Sequence, residues 1–115
     1  HRGVKNLAPE NTIESILEAI RLGLKWIEVD VKISKDGIPF LLHDDKLDRT
    51  TNGYGLASLY NYSEIKKLDA GKFFYKKSTN IYPPTLKEVF HICKKHKIGI
   101  NIELKPSLGL EKKKC

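Results

Sequence analysis

The chain has 115 residues, 40% of them hydrophobic and 30% charged, and carries a net charge of +7. This length holds one domain or part of a larger one, and the balance is globular; no apolar run approaches the roughly 18 residues that span a bilayer. A basic chain suits an anionic substrate. Nucleic acid is set aside as a partner because the lysines scatter over helices and tail, arginine occurs three times and no recognition motif is present.

Residues 1–11 read as a loop that follows a strand lying upstream of His1. Asn11 or Thr12 suits a helix cap, and Asn11 with Glu14 resembles a capping box. Ile13, Ile16, Leu17, Ile20 and Leu24 recur at helical spacing, which predicts a helix near residues 12–22 with Gly23 as its stop. From Lys25 to Ile33 the period changes to two. Ile27, Val29, Val31 and Ile33 alternate with Glu28, Asp30 and Lys32, the pattern of a half-buried strand.

Ser34 to Gly37 is a turn with a hairpin-type Asp-Gly pair, and Ile38 to Leu42 is a second apolar run ending at His43. Residues 44–58 are polar and glycine-containing and read as a long loop, a feature that in compact domains is functional or disordered. Ser63 is a candidate cap for a short helix carrying Ile65 and Leu68. Gly71 to Pro84 is aromatic and irregular. Thr85 and Glu88 form a second capping box, ahead of a helix expected to end at Lys95 or His96. Ile98 to Leu104 is a further strand. Residues 106–115 are a lysine-rich tail expected to fray, so the ordered unit is expected over 1–105.

Strands alternating with helices imply an α/β fold around a parallel sheet, and the parent expected is a (β/α)8 TIM barrel of which this is roughly the first half. Cys93 lies in the apolar pattern of a helix and reads as a small buried hydrophobe, and Cys115 has no partner suggested by spacing. This usage fits a reducing compartment and hence a cytoplasmic location. Trp26 and the run Phe73, Phe74, Tyr75 are expected in core and loop packing. Oligomeric state is left open.

The chemistry-bearing residues gather at predicted strand ends. Glu28 and Asp30 share one face of their strand, roughly 6–7 Å apart along it. Two readings stand. Pointing into an apolar interior, the pair needs a partner or a metal, and hard oxygen donors suit Mg2+ or Ca2+. Pointing to solvent, they are an ordinary polar face with Lys32. Glu103 and Lys105 share the face of their strand opposite Ile100 and Ile102, either at a catalytic strand end or as a surface ion pair. His1 and His43, followed by Arg2 and Asp44, are either an acid/base pair suited to phosphodiester cleavage or hydrogen-bonded structural residues. Glu10, ahead of the first helix, has a capping role available to it.

Together these segments closely resemble the glycerophosphodiester phosphodiesterase family. HRG (1–3), PENT (9–12), WIEVDV (26–31), SKDGIPFLLHDDKLDRTTNGYG (34–55), PPTLKEVF (83–90) and INIELK (100–105) stand in the family's order and at its spacing. The resemblance implies a metal-dependent hydrolase that cleaves small-molecule glycerophosphodiesters to glycerol 3-phosphate and an alcohol. By motif, Glu28, Asp30 and Glu103 become metal ligands for Mg2+ or Ca2+, and His1 and His43 the general acid and base. Arg2 and Lys105 become phosphate-binding, and Glu10 sits by the metal or the substrate glycerol. Family members continue through further strands, so a truncated, non-catalytic remnant is the alternative. A sphingomyelinase D-like phospholipase fits the motifs less well.

Overall fold

A computed structural model describes residues 6–104. The first helix, α1, spans Ile13–Arg21, and Thr12 caps it by accepting the Ser15 N–H at 3.2 Å. The Asn11–Glu14 box does not form. Asn11 takes a left-handed backbone at φ 55° and directs its amide elsewhere. Gly23, at φ 77°, ends the helix as expected, and Leu24 N–H donates to the Ala19 carbonyl at 3.1 Å.

The alternating segment forms β1, Trp26–Ile33, and the run after the Asp-Gly turn forms β2, Pro39–Leu41. They pair as an antiparallel hairpin with Val31 opposite Leu41 and Ile33 opposite Pro39. Gly37 supplies the positive φ (85°) that the turn requires. The last strand, β3 (Gly99–Leu104), pairs parallel to β1, giving the sheet order β2-β1-β3. Residues 38–42 are therefore a hairpin arm, and β3 is the next parallel strand after β1.

The capping box of Thr85 and Glu88 opens the helix α4, Leu86–Lys95, and His96 caps its end. Between β2 and α4 lie a 3-10 turn at Ala57–Leu59 and two one-turn helices, α2 (Tyr62–Ile65) and α3 (Lys72–Tyr75). The cap of α2 is Asn61 rather than Ser63. Its N–H donates to the Glu64 carboxylate at 3.0 Å, and Asp36 of the hairpin turn accepts the Tyr62 N–H at 2.9 Å.

Period-two alternation divides β1 into two faces. Ile27, Val29 and Val31 pack with Ile16 and Ala19 of α1 and with Val89 and Cys93 of α4, against which Ile100 and Ile102 of β3 also lie. Each fully buried aliphatic side chain here contributes roughly 1.5–3 kcal/mol. Burial raises the Cys93 thiol above its ordinary pKa, as befits a small hydrophobe. A second cluster, Phe40, Leu42, Leu47, Ala57 and Ile65, lies under residues 44–58. That stretch is thus an ordered loop with its own small core. Leu47 N–H donates to the Gly55 carbonyl at 2.9 Å, and the Thr51 hydroxyl to the Leu47 carbonyl at 2.7 Å.

The aromatic residues depart from expectation. Trp26, Phe73, Phe74 and Tyr75 are all exposed. Trp26 lies over Gly99, its partner in the sheet, so closely that a Cβ on Gly99 would come within 2.4 Å of the indole. No helix among the described residues is long and apolar enough to cross a membrane.

Candidate active site

Helices α1 and α4 cover one face of the sheet, and the other face carries the carboxylates. Glu28 and Asp30 point to it from β1. The parallel register sets Asn101 beside Glu28 and Glu103 beside Asp30. Neighbouring strands run about 4.8 Å apart, so three carboxylates from two strands share one face, with Glu103 at the C-terminal end of β3. Asp30 is wholly buried, which removes the solvent-face reading for it; Glu28 is half-buried and Glu103 exposed. Among the described residues, no three His, Cys, Asp or Glu side chains converge closely enough to hold a metal ion as they stand. The donor chemistry, all carboxylate oxygen, nevertheless fits a hard divalent cation.

Asn11 is what holds Asp30. Its amide Nδ2 donates to Asp30 Oδ2 at 3.2 Å, and its Oδ1 accepts the Asp30 N–H at 3.1 Å. The left-handed turn at Asn11 makes this possible, because it swings the amide off the helix axis and onto β1. Lys32, next along the same face, is also buried, and its Nζ donates to Asp45 Oδ1 at 2.8 Å.

His43 arrives from the hairpin arm. Leu42 N–H donates to the Asp30 carbonyl at 3.1 Å, so the chain leaves β2 alongside Asp30. His43 Nδ1 stands 2.9 Å from Asp44 Oδ1. Asp44 also accepts from Arg49, Nε to Oδ2 at 2.8 Å and Nη2 to Oδ1 at 3.1 Å. The Arg49 bonds first, and then His43, pull the Asp44 carboxyl down to about 2 against the cost of burial. Asp44 is therefore a carboxylate at neutral pH and accepts only, so Nδ1–H of His43 is the donor in this bond and Nε2 is the ring nitrogen that Asp44 does not engage.

Arg49 extends the network to Glu10. Its two terminal nitrogens bond the two Glu10 oxygens at 2.9 Å each, a bidentate pair that, with Asp44, raises the guanidinium above its already high pKa. Glu10 and His43 line a water-sized cavity with Thr50 and Thr51. Glu10, Arg49, Thr50, Phe73 and Phe74 line an adjoining cleft of about 210 Å³.

Of the expected site residues, Glu28, Asp30, Glu103, His43 and Glu10 are brought to this end of the sheet. His1, Arg2, Lys105 and the tail at 106–115 lie outside the described residues. Sequence reasoning missed Arg49, and it read Asn11 as a cap. The only signal for Arg49 was an arginine in a polar loop six residues after His43, in a chain with three arginines.

This is an α/β protein of the strand-end type, its polar groups collected on one face of parallel strands while α1 and α4 fill the other. The chain belongs to the glycerophosphoryl diester phosphodiesterase family, whose model matches residues 1–115. It is 43% identical to a glycerophosphodiester phosphodiesterase of Caldanaerobacter subterraneus over 98% of this chain and 48% of that protein. The human glycerophosphodiester phosphodiesterase 1 is 36% identical over 91% of this chain and 32% of its own length. A phosphodiesterase of Oleispira antarctica, solved in complex with the product sn-glycerol-3-phosphate, matches with a TM-score of 0.91 at 45% identity, over 96% of this chain and 45% of that one. The chain spans about half the length of the curated bacterial relatives it matches at 42–43% identity.

Proposed function

We propose that this chain is the front half of a (β/α)8 barrel that hydrolyses glycerophosphodiesters to glycerol 3-phosphate and an alcohol, with Mg2+ or Ca2+ as cofactor. The observation that carries the reading is the register of β1 and β3. It sets Asp30 beside Glu103 on the face that also holds Glu28, and the Leu42–Asp30 backbone bond brings the chain that leads into His43 alongside β1. Family membership and the printed activity of the relatives support it.

Glu28, Asp30 and Glu103 would hold the metal, which supplies charge neutralisation at the phosphoryl oxygens when bound. Asn11 fixes the Asp30 carboxylate in advance. His43, its proton held on Nδ1 by Asp44, takes or gives a proton at Nε2, and His1 is its opposite number in acid/base catalysis. Arg2 and Lys105 would bind the phosphate, adding positive charge where negative charge develops. Glu10, tied to Arg49, closes the side of the cleft where the glycerol end of the substrate is placed.

The test is release of glycerol 3-phosphate from glycerophosphocholine by the purified chain with Mg2+ or Ca2+, against a Glu28→Ala control. Release that depends on the metal and on Glu28 is the expected result. Release no greater than in the control sinks the activity for this chain.

A further inference from the structure

The loop that carries α3 is tightly bonded at its base and exposed along residues 72–77. Asp69, itself nearly buried, clamps its base by accepting Gly71 N–H at 3.0 Å and Thr79 N–H at 2.6 Å, together with the Thr79 hydroxyl. Ala70 N–H donates to the Ile81 carbonyl at 2.7 Å, and a Cβ on Gly71 would meet Thr79 Oγ1 at 2.7 Å, so the base is closely packed. At the tip the pattern is inverted. Phe73, Phe74 and Tyr75 are 55%, 39% and 41% exposed. They are flanked by exposed Lys72, Lys76 and Lys77, none of them ion-paired among the described residues. From Ala70 to Asn80 there is no acidic residue.

A clustered aromatic patch in water needs a reason, and three cations beside it name the chemistry. Rings of this kind settle at the boundary between headgroups and acyl chains, and lysines around them are drawn to an anionic leaflet. We propose that residues 72–77 form a docking surface for an anionic phospholipid bilayer. Phe73 and Phe74 also line the cleft beside Glu10 and Arg49. Docking therefore turns the mouth of the candidate site toward the lipid surface, where products of phospholipid breakdown arise. The surface itself does not depend on the proposed hydrolysis.

The test is co-sedimentation of the full chain with vesicles of phosphatidylcholine alone or mixed with phosphatidylglycerol, at low and high salt. The variant is Tyr75→Ser/Lys76→Glu/Lys77→Glu; all three positions are exposed and lie outside the cleft, so thermal unfolding is expected to match the parent. The expected result is a preference for the anionic vesicles of at least about tenfold, weakened by salt and lost in the variant. Equal partitioning of the parent into both vesicles, or undiminished binding by the variant, overturns the proposal. Hydrolysis of soluble glycerophosphocholine is followed in the same preparations. A chain that binds anionic vesicles through these residues but releases no glycerol 3-phosphate upholds the docking surface and refutes the functional reading.

Discussion

Asn11 and Asp30 bond to each other in both directions across 19 residues of sequence, amide to carboxylate at 3.2 Å and backbone N–H to amide oxygen at 3.1 Å. Both are buried, and the pair ties the loop before α1 to the strand that carries the carboxylates. Asn11→Ala is expected to cost roughly 2 kcal/mol of stability, because it leaves the buried Asp30 with lost bonds. It also forces a β-carbon other than asparagine's into a left-handed turn. Asn11→Gly removes the bonds but keeps the turn, so it should be the milder in urea unfolding and equally damaging to hydrolysis. Equal activity in Asn11→Gly and the parent would show that Asp30 needs no such positioning.

Arg49 holds Asp44 on one side and Glu10 on the other. The Asp44 carboxyl, at about 2, lies below the ordinary value of about 4. Its contribution to stability is therefore complete above pH ~4 and disappears as pH falls through ~2. Asp44 is partly open to solvent, so the contribution is on the order of 1 kcal/mol. Unfolding of the parent and Asp44→Asn at neutral pH and at stepped pH between about 4 and 2 should converge at the acid end. Arg49→Lys loses the bidentate fork to Glu10. In that variant a carboxyl NMR titration should place Asp44 closer to its ordinary value, and a titration unchanged from the parent's would contradict Arg49 as the cause.

Trp26 is the single tryptophan and lies over Gly99. Gly99→Ala puts a methyl group where the indole ring now lies, and an exposed ring has room to swing away. The expected outcome is a red shift and loss of intensity in tryptophan emission, with a stability change within about 1 kcal/mol, since alanine's smaller loss of backbone entropy on folding offsets the lost contact. An unshifted spectrum would refute the stacked arrangement.

Lys32 is buried with its ammonium on Asp45. Asp45→Ala removes that partner and leaves the charge in place, whereas Lys32→Met removes the charge and keeps most of the volume. Chemical denaturation should find Asp45→Ala the more destabilised, by roughly 1–3 kcal/mol. The reverse order would mean that the lysine is needed for more than the pair.

Much of the scaffold was legible because it rests on local periodicity. The 3.6-residue spacing of Ile13, Ile16 and Ile20, the Thr85–Glu88 box and the alternation of Ile27, Val29 and Val31 each act within a few residues. The Asp-Gly turn likewise announced the hairpin. The exposure of Phe73, Phe74, Tyr75 and Trp26 was not legible, because an aromatic side chain is compatible with core or surface until the neighbouring elements are in place. Asn11 misled for a related reason. Its side chain suits a cap, and only a backbone at φ 55° diverts it to Asp30.

The sequence alone determined the helices flanking the sheet, the apolar faces of the strands that became β1 and β3, and the family to which the motifs point, since all of these follow from order and spacing along the chain. Tertiary structure decided which polar groups meet. The pairing of Asp30 with Glu103, the hold of Asn11 on Asp30 and the bridge of Arg49 between Asp44 and Glu10 join segments far apart in sequence. Their partners are chosen by sheet register and loop packing, long-range constraints that leave no periodic trace in the chain.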